Sequence, residues 1–65
     1  MRYLLLVKVG ENWHGIGAHP SQQAAESARE QYRTQVAQKE REYRIIELGY
    51  GEQFDYASQD VIRLW

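Results

Sequence analysis

A single amphipathic segment between two strand-like segments sets most of what this 65-residue chain can become. Ala25, Ala28, Tyr32 and Val36 follow one another at intervals of three, four and four, which is one face of a helix. The pattern predicts a helix from about Pro20 to Glu42. On either side lie Tyr3-Leu4-Leu5-Leu6-Val7 and Tyr43-Arg44-Ile45-Ile46-Glu47-Leu48, both strand-like. One helix laid on a small sheet uses up most of the chain and leaves little of it to build a catalytic cleft. The expected fold class is α+β, with a single helix packed on one face of a small antiparallel sheet.

Residues 1–65 make one domain, near the lower limit at which a single core holds a fold without staples. A chain this short gains from self-association or from docking on a partner, so a homodimer belongs among the expectations. No cysteine is present, which excludes a disulfide framework and a thiolate zinc site and fits a reducing, cytosolic setting. The formal net charge of −1 gives no global attraction to nucleic acid or to an anionic membrane. The longest apolar run, Leu4 to Val7, falls far short of the ~20 residues that span a bilayer. Arg2 and this short stretch are followed by Lys8 with no cleavage pattern. The expectation is a soluble, mature, cytoplasmic protein.

Along Arg2 to Val9 both alternating faces are apolar at the middle, as in a central strand covered on at least part of both sides. Gly10-Glu11-Asn12 signals a turn, and Trp13 to Ala18 reads as the returning strand of a hairpin. Gly15 and Gly17 mark that strand as an edge, a bulge or a close backbone approach. Either His19, with Pro20 at the first helical position, or Ser21 caps the helix. Glu26, Arg29, Glu30 and Arg33 form sign-alternating pairs on its outer face. After Tyr43 to Leu48 come a turn at Gly49–Glu52 and short strands at Gln53–Ala57 and Val61–Trp65, around a Ser58-Gln59-Asp60 turn. The order is β-β-α-β-β, with room for a fifth short strand.

The chemistry-bearing residues form no motif. Ser21, Ser27, Thr34 and Ser58 lack a nucleophile elbow, and the glycines make no phosphate loop. His14 and His19, five apart, match no metal-ligand spacing, and their plainer roles are on the surface or at the helix cap. The residues therefore point to no catalytic set, no metal and no cofactor, and to a protein that is not an enzyme. Five of the eight basic residues, Arg29, Arg33, Lys39, Arg41 and Arg44, fall in the expected helix and just after it. A face rich in arginine binds phosphates. The interleaved Glu26, Glu30, Glu40 and Glu42 favour a solvated face laced with ion pairs.

Tyr43, Tyr50, Phe54, Tyr56 and Trp65 crowd the second half. One sheet face packs on the helix, and nothing in the sequence identifies a second layer for the other. Aromatics on that face or in the Gly49–Gly51 turn make a sticky surface, rich in the residue types that dominate binding hot spots. Filling of the small core is the plainer role for those that point inward, and less so for Tyr50. Candidate partner-binding residues are Tyr50, Phe54, Tyr56 and Trp65, with Arg29 and Arg33 on the helix.

Two resemblances bear on function. The Met1-Arg2-Tyr3 start, the first hairpin and the Ser21-Gln22-Gln23-Ala24-Ala25-Glu26-Ser27-Ala28 helix start look like the opening of HicB-type antitoxins. The Gly17-Ala18-His19-Pro20 segment departs from the Pro-Gly-Cys-like segment usual there. The whole chain resembles small phage-encoded inhibitors of the type I anti-CRISPR kind in its strand, Ala-rich helix, Arg-Ile-Ile-Glu strand and aromatic C-terminal hairpin. That likeness is one of architecture, without signature residues to carry over. It implies a non-enzymatic phage or mobile-element inhibitor that sterically blocks a bacterial defence complex, with a CRISPR effector subunit as the partner, in the host cytoplasm. The alternative is a nucleic-acid-binding or antitoxin-like regulatory protein. An enzyme with a histidine or metal site is the third reading.

Overall fold

The computed structural model describes residues 1–35 and 40–64. Its elements are β1 (Arg2–Val9), β2 (Asn12–His19), α1 (Gln22–Arg33), β3 (Tyr43–Leu48), β4 (Glu52–Asp55) and β5 (Asp60–Arg63). This is an α+β fold with five strands. β1 and β3 have the bounds that their apolar patterns predict, and β2 runs one residue further at each end.

The helix is shorter than its pattern suggests. Ser21, not His19, is the N-cap: its backbone is extended and its Oγ accepts from the Ala24 N–H at 3.1 Å. At the other end the Thr34 N–H donates to Glu30 O at 3.2 Å, and the Gln35 N–H reaches only three residues back, to Tyr32 O, at 3.2 Å. The Thr34 hydroxyl takes Gln31 O at 2.7 Å. The last carbonyls thus find their partners within a tightened turn, and the helix stops at Arg33. Val36, expected on its apolar face, lies outside the described residues. Glu40 to Glu42, expected as its frayed end, are turn and loop.

β1 sits in the middle of a three-stranded sheet of order β2-β1-β3, antiparallel to both neighbours. Gly10, at φ 66, turns β1 into β2. Directly opposed residues share a face, so the register sorts the side chains. Leu5 and Val7 share one face with Ile45 and Tyr43. The helix covers that face: the Tyr32 ring meets the Tyr43 ring edge-on, centroids 5.8 Å apart. Ala25, fully buried, lets the helix approach closely.

Leu4 and Leu6 belong to the opposite face, with Ile46 and Leu48. The expectation that this face lacks a second layer is corrected here. The β4–β5 hairpin lies over it. Phe54 is buried, and with Tyr56 it lines a small cleft shared with Leu4 and Leu48. Arg2 Nη2 donates to Glu52 O at 3.4 Å, tying the hairpin to β1. Helix, sheet and hairpin make three layers, and β1 is their centre. Successive residues Leu5, Leu6 and Val7 are 1%, 0% and 2% exposed, because each face of β1 has its own cover.

β2 shows all three features that its glycines allow. It is an edge strand. Its register slips between Leu5, opposite Gly17, and Leu6, opposite Gly15, which leaves Ile16 as a bulged extra residue. A side chain on Gly15 would run into the Tyr56 hydroxyl, so the missing Cβ is what lets the hairpin close on the sheet.

Candidate binding surface

The turn between β3 and β4 presents the most exposed aromatic side chain among the described residues. The Gly49 N–H donates to Glu52 Oε1 at 2.6 Å, and the Glu52 N–H returns to Gly49 O at 3.1 Å. The Leu64 N–H donates to Gly51 O at 2.7 Å and brings the end of the hairpin beside the turn. Tyr50, held between the two glycines, is 86% exposed. Met1 and Leu64 are also exposed, and with Tyr50 and Arg2 they wall a groove of about 500 Å³ that reaches down to the buried Leu48. Met1 and Leu64 are not apparent as site residues in the sequence. The pairing of Arg2 with Leu48 is what brings the start of β1 to the β3–β4 turn.

The predicted aromatic contacts divide. Tyr50 stands on the groove rim. Tyr56 is half-exposed and lines the neighbouring cleft over Leu4. Arg2, Leu48 and Gln53 belong to both cavities, so the two tyrosines flank a common strip. Phe54 is placed in the core at 7% exposure, its ring edge-on to Tyr56 at 5.1 Å, and it lines the same cleft from the buried side. Trp65 lies outside the described residues.

Arg29 and Arg33 are elsewhere. With Glu40, Arg41 and Tyr43 they line a polar cleft of about 310 Å³ between the helix and the start of β3. No described residue lines both this cleft and the aromatic cavities. Tyr43 and Leu48 sit at opposite ends of β3, about 17 Å apart at strand rise, so the two surfaces occupy opposite ends of the molecule. Glu30 is shared by Arg33 Nη1 at 3.2 Å and Arg29 Nε at 3.9 Å, the ion pairing that the alternating charges predict. Burial, then the neighbouring Tyr32, raises the Tyr43 phenol above its ordinary pKa, against the pull of Arg33 and Arg41. Trp13 is flanked by Lys8 Nζ and Arg44 Cζ at 5.9 and 6.0 Å from its ring centroid.

His14 is exposed and His19 half-buried beside Gly17. Among the described residues, no group of three or more His, Cys, Asp or Glu side chains is placed to hold a metal ion. No described helix is long and apolar enough to cross a membrane. Comparison with known protein families, with curated proteins and with solved structures finds no match.

Proposed function

We propose that this chain is a binding module that acts by covering part of a partner protein, without catalysis, and that its working surface is the groove beneath Tyr50. One observation supports this above the rest: three large apolar side chains, Met1, Tyr50 and Leu64, are exposed around a single groove. Exposed apolar side chains grouped on a small domain are characteristic of protein-interaction sites. A tyrosine on a hydrogen-bonded turn offers a large contact at low entropic cost, because it has few rotamers to lose. Arg2 and Glu52 add charged partners at the rim.

The biological form of the proposal is a phage- or mobile-element-encoded inhibitor that sterically blocks a bacterial defence complex of the CRISPR type. It rests on the architectural resemblance to type I anti-CRISPR proteins together with this surface. The test is phage plating on bacteria that carry an active type I system aimed at the phage. Expression of the chain is expected to restore plaques, and Tyr50→Asp to abolish the effect while the folded circular-dichroism spectrum persists. Intact immunity across the type I subtypes would overturn the inhibitor role. Co-elution with a purified effector complex that is unchanged by Tyr50→Asp would overturn the placement of the site.

A further inference from the structure

The polar cleft at the other end of the molecule has a chemistry of its own. Arg29 and Arg33 stand one turn apart on α1, and Arg41 comes from the segment that leads into β3. Three arginines therefore line one concavity of about 310 Å³. The carboxylates beside them are Glu30, already bridging Arg29 and Arg33, and Glu40 at the wall. Arg41 forms no ion pair with another described residue. The Nε–H groups of Arg29 and Arg41 are shielded from water and make no hydrogen bond to a described residue, Arg29 Nε having only the 3.9 Å ion pair with Glu30. A secluded donor without a hydrogen-bond acceptor is costly, and two on residues that line one cleft favour an acceptor from outside.

We propose that this cleft binds the phosphoryl group of a small phosphate ester. Guanidinium forks match the tetrahedral oxygens of a phosphoryl group, with charge assistance in each bond. An ester of this kind supplies several acceptor oxygens at once, enough to satisfy both Nε–H groups and the forks beside them. Tyr43, a phenol neutral at its ordinary pKa and raised further by burial and then by Tyr32, adds no negative charge to the wall. The volume lies at the lower end of small-ligand sites. Glu30, Glu40 and the net charge of −1 oppose a polyanion. A small ester is thus favoured over a nucleic-acid backbone.

The test is a nuclear magnetic resonance titration of the full chain at constant ionic strength with inorganic phosphate, a nucleoside monophosphate and a single-stranded oligonucleotide. Saturable shifts are expected at the Arg29 and Arg41 Nε–H groups and at the Tyr43 amide, with the nucleoside monophosphate binding at least as tightly as phosphate. Arg41→Gln, and also Arg41→Lys, which keeps the charge but not the fork, should weaken binding about tenfold. Arg63→Gln, on the hairpin, should leave it unchanged. Shifts that never saturate, or that respond alike to the Arg41 and Arg63 variants, overturn the site as a mere salt effect. An oligonucleotide that binds far more tightly than the monophosphate, with the same dependence on Arg41, overturns the small-ester assignment in favour of a nucleic-acid surface.

Discussion

The side-chain amide of Gln59 serves Trp13 as a neighbouring strand would. The Trp13 N–H donates to Gln59 Oε1, and Gln59 Nε2 donates to Trp13 O at 3.2 Å. Trp13 stands opposite Lys8 in the β1–β2 ladder, and the Lys8 N–H is directed to Glu42 O at 3.0 Å, on the β3 side. Backbone groups alternate in direction along a strand, so those of Trp13 point outward from the edge of β2. Gln59 closes that edge and fastens the hairpin to the sheet in one contact. It does so from a left-handed backbone at φ 60, inside the turn between β4 and β5.

Gln59→Gly isolates the amide, since glycine takes this backbone conformation without strain. Leaving two half-buried backbone groups unmet is expected to cost about 1–3 kcal/mol. At this size each kcal/mol lowers Tm by about 4–8 °C. Hydrogen exchange at the Trp13 amide should accelerate. Unchanged protection of that amide in the variant would show that the clasp does not form.

Gly15→Ala sets a methyl group against the Tyr56 hydroxyl. The ring must leave its seat or the hairpin must lift, an overpacking expected to cost about 1–3 kcal/mol. The ring carbon that bears the hydroxyl is 3.4 Å from the new methyl position, an ordinary contact. Tyr56→Phe should therefore restore most of the stability to the Gly15→Ala chain while costing little alone. Additive losses in the four-member cycle, read by urea denaturation, would refute the contact.

Leu6 is the pivot of the hairpin-side core, with no exposed surface. Leu6→Ala is expected to cost about 2–5 kcal/mol, a large part of the stability of so small a domain. Urea unfolding followed by circular dichroism checks it, with exposed Val9→Thr as the control, expected within about 0.5 kcal/mol.

Asp55 carries a pH dependence. Its Oδ2 accepts from the Ser58 hydroxyl at 2.7 Å and from the Ser58 N–H at 3.2 Å. Chiefly the hydroxyl bond holds the carboxyl below its ordinary pKa. Its stabilisation is present above the unfolded value, about 3.9, and is lost as pH falls through the lower folded value. Wild type should therefore exceed Asp55→Asn by a constant margin above about pH 5, a margin that shrinks in more acid solution. A margin that is flat from neutral pH down to acid unfolding would contradict this.

The parts of the fold legible in the sequence are those whose side chains alternate over enough residues to show it. β1 and β3 are long, apolar and bounded by turn residues, and their limits follow from pattern alone. The end of the helix is hidden because helix formers continue past Thr34, and the stop depends on a hydroxyl meeting the Gln31 carbonyl. The hairpin layer is hidden for a different reason. β4 and β5 have four residues each, too few for a period to declare a face. Phe54 therefore reads equally well as surface or core. Of the candidate surface, Tyr50 is legible because glycines flank it. Met1 and Leu64 join it only through strand register. Arg29 and Arg33 are visible as a pair one turn apart, but Arg41 meets them only when the chain returns to begin β3.

The central position of β1 also sets the order of events during folding. Its partners on β3 lie 36 to 46 residues further along, from Val7 with Tyr43 to Arg2 with Leu48, and its neighbour β2 meets the hairpin 46 residues on, as Trp13 with Gln59 shows. Non-local pairings of this kind are slow to find, because chain entropy is lost before contacts repay it. During synthesis the first strand made must wait, with Leu4 and Leu6 uncovered, until the hairpin has emerged. A chain halted before Gln59 would expose an apolar strand to its neighbours, and its fate in the cell would be association or proteolysis.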